Sequence, residues 1–506
     1  MNGPPDAWDW AARDAEHQRR EARAEVGGGS ARQARQTRLG RLNARERIAG
    51  LVDAGSFVEV ERYTLHRHAD ASEALAANQH PGDGLVGGYA RIDGRAVVIY
   101  AHDPTVLRGA LGHAASRKVV RLLDAALARS LPVIALADSD GVRIPEGTDA
   151  IDAYGDIISR TIRLRRRAPQ FTLISGLCVG AAAYTAALTD WVGMVGPQSY
   201  LFITGPKVAQ VVTGERVTLE SLGGAEVHAR QTGACHAVLA DETAGLAWLK
   251  RLLGALASTP PASLPPDPAD RLTERLRKLV PTARRRAYDM RKVVRELFDA
   301  ESYLELAPGF AGNLLTGLAR LGGQPVAVVA SQPLVLAGCL DIDASRKGAH
   351  LVDFAGRFGL PIVTLVDVPG YLPGQRQESG GIVPFGAELL RAYGEAPVPK
   401  LCLVVRKSYG GASVLSFAAD HRLALPTAEV APMGSAAAAE VELGPLTPES
   451  TEEQRATREA FITAWEARHG DVWSAAEAGW FDQVVAPERA RAALVTALRA
   501  LTGVDR

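Results

Sequence analysis

The stretch Leu131-Pro-Val-Ile-Ala-Leu-Ala-Asp138 returns in the second half of the chain as Leu360-Pro-Ile-Val-Thr-Leu-Val-Asp367. Each copy is a run of apolar residues that ends at an aspartate, which predicts a buried strand and a turn after it. Three further pairs of motifs occur in the same order: Asp53–Glu59 with Asp299–Glu305, Gly88–Val98 with Gly317–Ala327, and Phe171–Ala181 with Leu401–Ala412. Four pairs in the same order, the last three with nearly constant spacing, indicate an internal repeat, so we predict two homologous domains in tandem.

The same alternation of elements is predicted in each half of the chain. Helical patterns, for example Ala115–Arg129 and Ala344–Phe358, separate short apolar runs. The predicted strands are Ala96–Tyr100, Val133–Leu136, Phe171–Ile174, Val326–Val329, Ile362–Val366 and Leu401–Val405. Apolar runs that alternate with helices are typical of an α/β fold with largely parallel strands, which binds ligands in the turns at the carboxyl ends of the strands.

A proline-rich stretch at residues 260–268 predicts the boundary between the two copies, because proline ends a helix and stiffens a connector. The predicted organisation is a polar N-terminal helical extension at residues 1–35, a first domain at 36–258, a Pro-rich linker at 259–290 and a second domain at 291–506.

The overall composition excludes several classes of protein. Lys+Arg and Asp+Glu both number 57, so no bulk charge favours nucleic acid or an anionic membrane. The polar first 35 residues lack the apolar segment of a signal peptide, and no apolar run reaches the roughly 18 residues of a membrane span. The four cysteines are widely spaced and the histidines lack metal-binding spacing, so we predict no metal site. We expect a cytoplasmic protein.

A series of ordered motifs resembles one known family. The motifs include Gly40–Ile48, Asp53–Glu59, Phe202–Pro206, Leu340–Ser345, Asp367–Gly374 and Arg406–Ala412. Together they resemble the carboxyltransferase (β) subunit of biotin-dependent acyl-CoA carboxylases, in the crotonase superfamily. The resemblance implies an α/β fold of two crotonase-like (ClpP/crotonase) β-β-α superhelix domains in tandem, the first on the acyl-CoA side and the second on the biotin side.

The chemistry that the resemblance implies requires an enolate. A carboxyl group would pass from carboxybiotin to the α-carbon of a short or unusual acyl-CoA, and negative charge would build on the thioester oxygen. Backbone N–H groups at the start of a helix stabilise such a charge. Gly180 and Ala181 are the predicted catalytic donors to the thioester, and Gly411 and Ala412 are the predicted donors to the ureido carbonyl of biotin. Taken singly, each pair is more typical of a tight turn between strand and helix, and it is the occurrence of two such turns in register that favours function.

The resemblance implies further site residues. The predicted substrate-binding residues are Asp140, Gly141, Val142, Ser413 and Val414, among which Gly141 and Val142 are expected to add N–H donors. The predicted biotin-binding residues are Tyr409, Gly410, Gly380 and Gly381, although Tyr409 is equally typical of a core aromatic. Asp138 and Asp367 are predicted to anchor turns, and Cys178 to be a small buried hydrophobe.

Several site positions depart from the motifs of the family. Asp140 replaces a glycine of DSGGAR, Arg108-Gly-Ala-Leu-Gly112 replaces GGSLG, and Val414 occupies a position that varies with acyl preference. An ionised Asp140 that faced the thioester would oppose the enolate, so we expect its side chain to pair with Arg143 or to cap the following helix. The alternatives are a protonated carboxyl and a hydrogen bond to an unusual acyl chain. These departures predict a specialised substrate.

The absence of some motifs predicts a partner. The sequence contains no Met-Lys-Met biotinylation motif and no phosphate-binding G-x-x-x-x-G-K-[ST] loop. Biotin is therefore expected on a separate protein, the biotin carboxylase/biotin carboxyl carrier (α) subunit, while the coenzyme A thioester is the substrate. The resemblance also implies a homohexamer. Two other functions stay open: a malonyl-type acyl-CoA decarboxylase, and a degenerate non-catalytic β subunit in a mixed complex.

Overall fold

The computed structural model describes residues 9–66, 73, 79–260 and 264–503, and within this range the side chains of Val414 and Phe417 lie outside the description. The chain divides into two compact units, Met1–Arg251 and Leu252–Arg506. Within the described residues, no helix is long and apolar enough to cross a membrane.

The first unit is built on an eight-stranded sheet whose strands follow the order β1-β2-β3-β4-β5-β6-β8, with β7 paired to β5. Its strands are β1 (Val58–Glu59), β2 (Leu85–Ile92), β3 (Arg95–His102), β4 (Val133–Ser139), β5 (Gln170–Val179), β6 (Trp191–Val195), β7 (Tyr200–Phe202) and β8 (Ala237–Leu239). Strands β1 to β3 are antiparallel and all later pairings are parallel.

The second unit repeats this topology. Its sheet has the order β9-β10-β11-β12-β13-β14-β16, with β15 paired to β13. The strands are β9 (Leu304–Leu306), β10 (Leu314–Leu321), β11 (Gln324–Ser331), β12 (Ile362–Val368), β13 (Lys400–Tyr409), β14 (His421–Ala424), β15 (Glu429–Ala431) and β16 (Gln483–Val484). The predicted tandem of crotonase-like α/β domains is therefore confirmed, and each sheet carries an antiparallel edge that the prediction of largely parallel strands did not include.

Helices connect the parallel strands in both halves. In the first half they are α1 (Trp10–Glu25), α2 (Ser30–Arg38), α3 (Ala44–Ala49), α4 (His113–Arg129), α5 (Gly147–Leu164), α6 (Ala181–Ala187), α7 (Pro206–Thr213), α8 (Leu219–Gly223), α9 (Ala225–Val227) and α10 (Glu242–Ala255). In the second half they are α11 (Leu276–Leu279), α12 (Met290–Leu297), α13 (Ile342–Arg357), α14 (Gln375–Gly380), α15 (Ile382–Glu395), α16 (Val414–Phe417), α17 (Ser435–Leu443), α18 (Glu452–His469), α19 (Val472–Glu477) and α20 (Ala490–Thr502).

The helix after β3 shows why the sequence folds in this way. Helix α4 buries Ala115, Val119, Leu122 and Ala126, which recur every three or four residues and so share one face. That face joins a core with residues of β3 and β4, such as Val98 and Val133. Because β4 is buried along its whole length, its sequence is continuously apolar until Asp138.

A buried lysine marks the repeat inside both cores. The Lys118 ammonium donates to the Leu85 carbonyl at 2.8 Å, and the Lys347 ammonium donates to the Leu314 carbonyl at 2.8 Å. Burial lowers the pKa of Lys118 to about 8 and that of Lys347 to about 7. Each lysine joins the helix after the hairpin to the hairpin itself, so this contact is part of the repeated fold.

The stretch predicted as a linker packs onto the second unit. Leu276, Val280 and Tyr288 are buried in the same core as Val293 and Leu315. The division into compact units falls earlier, between Arg251 and Leu252. The prolines at residues 260–268 predicted a linker, but the apolar residues that follow them are part of the core of the second unit.

We expect Arg320→Ala to lower the free energy of unfolding of the second unit by about 1–3 kcal/mol. The Arg320 side chain is buried, and its guanidinium donates to the carbonyls of Gly254 at 3.1 Å, Gly323 at 2.7 Å and Thr259 at 3.3 Å. These part-buried carbonyls would lose their donor. Denaturant unfolding measures the change, with the exposed Arg295→Ala as the control. Equal changes in the two variants would contradict the role of Arg320.

Candidate active site

In the first unit a strand, a glycine and a helix follow one another directly. Strand β5 ends at Val179, and Gly180 has φ 60° and ψ −122°, a conformation that side chains with a Cβ rarely adopt. Helix α6 begins at Ala181, so the N–H groups of Ala181 and Ala182 have no acceptor within the helix. The Gly180 N–H itself donates to Phe202 O at 3.1 Å. The turn therefore presents backbone donors of the kind that stabilise an oxyanion.

The second unit has the same turn, one residue earlier than predicted. Strand β13 ends at Tyr409, Gly410 has φ 58°, and a 3₁₀ turn then covers Gly410–Ser413. Val179 pairs with Phe202 on β7 as Tyr409 pairs with Ala431 on β15. Gly180 thus corresponds to Gly410, and Ala181 corresponds to Gly411. The prediction that Gly411-Ala412 is the equivalent pair was wrong by one residue, because it matched the Gly-Ala dipeptides and not the strand ends.

The two aspartates at the ends of β4 and β12 anchor these turns, as predicted. Asp138 accepts a hydrogen bond from the Leu177 N–H at 3.2 Å, and Asp367 accepts one from the Lys407 N–H at 3.2 Å. Each bond lies where the register between neighbouring strands shifts. Cys178 is fully buried, as expected of a small hydrophobe.

Two loops of the first unit lie side by side next to the Gly180 turn. The Ser139 hydroxyl donates to Gly109 O at 2.7 Å, and the Leu111 N–H donates to Gly141 O at 2.8 Å. A Cβ on Gly141 would lie 2.4 Å from Val179 O, so this residue packs against the turn itself. The predicted substrate-binding residue Gly141 is therefore beside the candidate donors.

Gly141 differs from the prediction in one respect. Its N–H donates to the Ser139 hydroxyl at 3.0 Å, so this donor is already occupied. The predicted supply of a further N–H from Gly141 was therefore wrong, because the serine in the same turn is the nearer acceptor. Val142 forms an isolated bridge with Leu111 and continues the contact between the loops.

Arg143 forms a buried hydrogen-bond cluster that joins the two loops, a role that was not predicted. Its buried guanidinium donates to Asp83 at 2.6 Å, to Glu146 at 2.8 Å and to Ala110 O at 2.9 Å. Glu146 also accepts from the His113 N–H at the start of α4, at 2.8 Å. Burial raises the pKa of Asp83, and Arg143 opposes that rise. The partners are distant in the sequence, and no local signal identifies this cluster.

Asp140 does not pair with Arg143, so that expectation was wrong. Its carboxylate pairs with Arg108, with a distance of 2.7 Å from Nε to Oδ2 and 3.2 Å from Nη2 to Oδ1. Burial raises the pKa of Asp140, while the adjacent Arg108 guanidinium lowers it. Arg143 is unavailable because the buried cluster already holds it.

In the second unit, the polar groups of several predicted site residues already have hydrogen-bond partners. The Tyr409 hydroxyl donates to Glu429 at 2.5 Å, and Glu429 also pairs with Arg284 at 3.1 Å. Burial raises the pKa of Tyr409. Ser413 is buried and accepts from the Ser408 hydroxyl at 3.1 Å, so this predicted substrate-binding side chain packs beneath the turn. The side chain of Val414 lies outside the described residues.

Tyr371 packs beside Gly411 and Gly386 and was missed as a site residue. A Cβ on Gly411 would lie 3.9 Å from its ring, and one on Gly386 of α15 would lie 3.3 Å from its hydroxyl. Gly380 ends α14, and Gly381, with φ 104°, directly precedes α15. Among the described residues the Tyr371 hydroxyl has no hydrogen-bond partner. The Asp367–Gly374 motif contained this tyrosine and was the available signal.

Comparison with known proteins identifies close relatives over nearly the whole chain. The sequence pattern described as the carboxyl transferase domain matches residues 35–505. The propionyl-CoA carboxylase beta chain of Roseobacter denitrificans is 41% identical over 494 residues, which cover 95% of each chain. The human mitochondrial propionyl-CoA carboxylase beta chain is 41% identical over 475 residues, which cover 92% of this chain and 86% of the human one.

Solved structures show the same similarity. Transcarboxylase 12S, described as a hexamer with methylmalonyl-coenzyme A and methylmalonic acid bound, has a TM-score of 0.90 and 38% identity and covers 99% of this chain and 98% of its own. A single-chain, multi-domain long-chain acyl-CoA carboxylase has a TM-score of 0.85 and 29% identity, and the match covers 96% of this chain and 49% of that one. In the described part of the chain, no group of three or more His, Cys, Asp and Glu residues could hold a metal ion.

We expect Arg143→Ala to lower the free energy of unfolding of the first unit by about 3–5 kcal/mol, because Asp83 and Glu146 would stay buried without their cation. Thermal and denaturant unfolding measure the loss. The matched control is Arg230→Ala, whose pair with Glu226 is exposed and contributes about 0.5 kcal/mol or less. The buried cluster would have no stabilising role if Arg143→Ala unfolded no more easily than this control.

Proposed function

The chain belongs to the carboxyl transferase domain family and is a carboxyltransferase, and we propose that it transfers a carboxyl group from carboxybiotin on a partner protein to the α-carbon of a short or unusual acyl-CoA. The observation that carries this proposal is the pair of equivalent strand–glycine–helix turns at Gly180 and Gly410. One chain thereby holds two sets of backbone donors, as a reaction between two carbonyl compounds requires.

In the first unit, the proposed role of the turn is to bind the thioester oxygen of the acyl-CoA. When the α-proton leaves, charge moves to that oxygen, and the N–H groups of Ala181 and Ala182 become its donors. Removal of one such donor in a comparable site lowers the rate about 100- to 1000-fold. Gly141 lies against the same turn and leaves room for the ligand because it has no side chain.

In the second unit, the proposed ligand of the turn is the ureido carbonyl of biotin. Bound biotin would supply the carboxyl group that is transferred and, once that group has left, the ureido nitrogen that accepts the substrate α-proton. Gly411 is exposed and has only the Tyr371 ring near its Cβ position, so its N–H is accessible to a carbonyl oxygen. Gly410, Gly380 and Gly381 are the proposed backbone neighbours of the same ligand.

The proposed assembly is a homohexamer that works with a biotin carboxylase/biotin carboxyl carrier (α) subunit. The support is the similarity to transcarboxylase 12S, whose structure is described as a hexamer assembly. We propose that residues 36–258 bind the acyl-CoA and that residues 291–506 bind biotin. Val414 is proposed to influence which acyl group is accepted. The cytoplasmic location stays a prediction, since the relatives include both bacterial and mitochondrial chains.

The proposal predicts that the purified chain incorporates no labelled bicarbonate into acyl-CoA with ATP alone. Incorporation should begin when a biotinylated α subunit is added, because only the partner would carry biotin and the ATP site. The control is the same α subunit with its biotin-bearing lysine replaced. Fixation by the chain alone would contradict the proposal, and rapid CO₂ release from malonyl-CoA without any biotin protein would favour a decarboxylase.

A further inference from the structure

A charged pair at the edge of the Gly180 turn has no counterpart in the second unit. Arg108 and Asp140 form a two-point contact, with 2.7 Å from Nε to Oδ2 and 3.2 Å from Nη2 to Oδ1. The Asp140 N–H also donates to Arg108 O at 3.2 Å. The pair therefore joins the two loops that lie beside the turn.

The internal repeat provides a control for the backbone. Leu107, Arg108 and Gly109 have φ values of 46°, 55° and 70°, and the second unit follows the same path with φ values of 49°, 52° and 80°. The second path is Leu336-Ala337-Gly338, so Ala337 corresponds to Arg108. Pro369, the residue before Gly370, corresponds to Asp140, the residue before Gly141. The matching bridges, Leu111 with Val142 and Leu340 with Tyr371, fix this correspondence. The loop geometry thus forms without either charge.

Stability does not explain the pair. The Arg108 side chain is 73% exposed, and an ion pair so open to water contributes little to folding. Its left-handed backbone is unfavourable for a residue with a Cβ. The Asp140 side chain is only 26% exposed, so desolvation of its carboxylate adds a further cost. A long cation in a strained position at the rim of a turn is therefore expected to serve a ligand.

The position of the pair points to the acyl end of the ligand. A Cβ on Gly141 would lie 3.7 Å from the Ala181 nitrogen, which is a candidate donor to the thioester, and Asp140 is the residue before Gly141. The phosphates of coenzyme A lie at the far end of the pantetheine arm, away from the thioester. A guanidinium has five N–H groups, and in the described structure Asp140 is the only acceptor that contacts this one, through two of its nitrogens. Its remaining donors are available to an anionic oxygen.

We propose that Arg108 is a specificity-determining residue that binds a carboxylate on the acyl group of the acyl-CoA, and that Asp140 positions its guanidinium. The substrate class is an acyl-CoA that carries a carboxylate in addition to its thioester. The ion pair with Arg108 also neutralises the negative charge of Asp140, which lies next to the place where the enolate would develop. This inference rests on the proposed function, which assigns the acyl-CoA to the first unit.

The test compares three ligands that share coenzyme A: glutaryl-CoA, with a terminal carboxylate, pentanoyl-CoA, with an apolar chain of the same length, and free coenzyme A. Calorimetry gives the affinity of the full chain for each ligand, and carboxylation with the biotinylated partner gives kcat/KM. Arg108→Ala should weaken glutaryl-CoA binding and kcat/KM about tenfold or more, equivalent to about 1.4 kcal/mol. The values for pentanoyl-CoA and coenzyme A should stay within about twofold, since neither has the acyl carboxylate.

The matched control is Arg121→Ala, because the Arg121–Glu61 pair has a similar length of 3.0 Å and similar exposures of 59% and 28%. Asp140→Gly should reduce the preference for glutaryl-CoA over pentanoyl-CoA, as expected of a positioning residue. An unchanged ligand profile in Arg108→Ala would overturn the inference. Equal weakening of all three ligands would assign Arg108 to a coenzyme A phosphate and also overturn it. Selective loss of glutaryl-CoA binding without any carboxylation by the wild type would support the inference and contradict the proposed function.

Discussion

A carboxylate that binds the backbone of the neighbouring strand is the interaction on which each turn depends. Asp138 accepts from the Leu177 N–H, and Asp367 accepts from the Lys407 N–H, at the points where the strand registers shift. Strands β5 and β13 therefore continue beyond their apolar segments, and each is followed by a glycine with positive φ. Together with the pairing of Val179 with Phe202 and of Tyr409 with Ala431, this anchor fixes the direction of the donors after the glycine.

The two units neutralise these buried carboxylates in different ways. Arg47 pairs with Asp138 at 3.2 Å and with Glu242 at 2.6 Å, so the first unit uses an arginine from α3. A Cβ on Gly176 would lie 2.1 Å from Asp138 Oδ1, so no side chain is tolerated there. The second unit has Arg406 on its own strand β13, 3.3 Å from Asp367. The same backbone turn thus forms with a buried aspartate that is neutralised by an arginine from a different element in each unit.

The sequence allowed the tandem fold and the turns to be predicted, because periodic apolar runs and repeated glycines are local signals. The ends of β5 and β13 were placed too early, since Ser175 and Arg406 interrupt the apolar pattern although both are buried. The position of Gly410 within the repeat was missed for the same reason. The Arg143 cluster and the pairing of Asp140 with Arg108 depend on contacts between loops, which residue spacing does not encode. Arg143 is close to Asp140 in the sequence and was therefore predicted as its partner. In the structure the Arg143 guanidinium is buried and binds Asp83 and Glu146 instead.

The most direct measurement of the central claim is the rate of carboxyl transfer by Gly180→Ala, assembled with the biotinylated partner. The control is Gly94→Ala, because Gly94 also has positive φ, at 76°, but lies in the hairpin between β2 and β3 with open space around its Cβ position. If the Gly180 backbone directs the oxyanion donors, kcat should fall about 100-fold or more in Gly180→Ala, while Gly94→Ala stays within about twofold of the wild type. A folded Gly180→Ala enzyme with an undiminished rate would contradict the account.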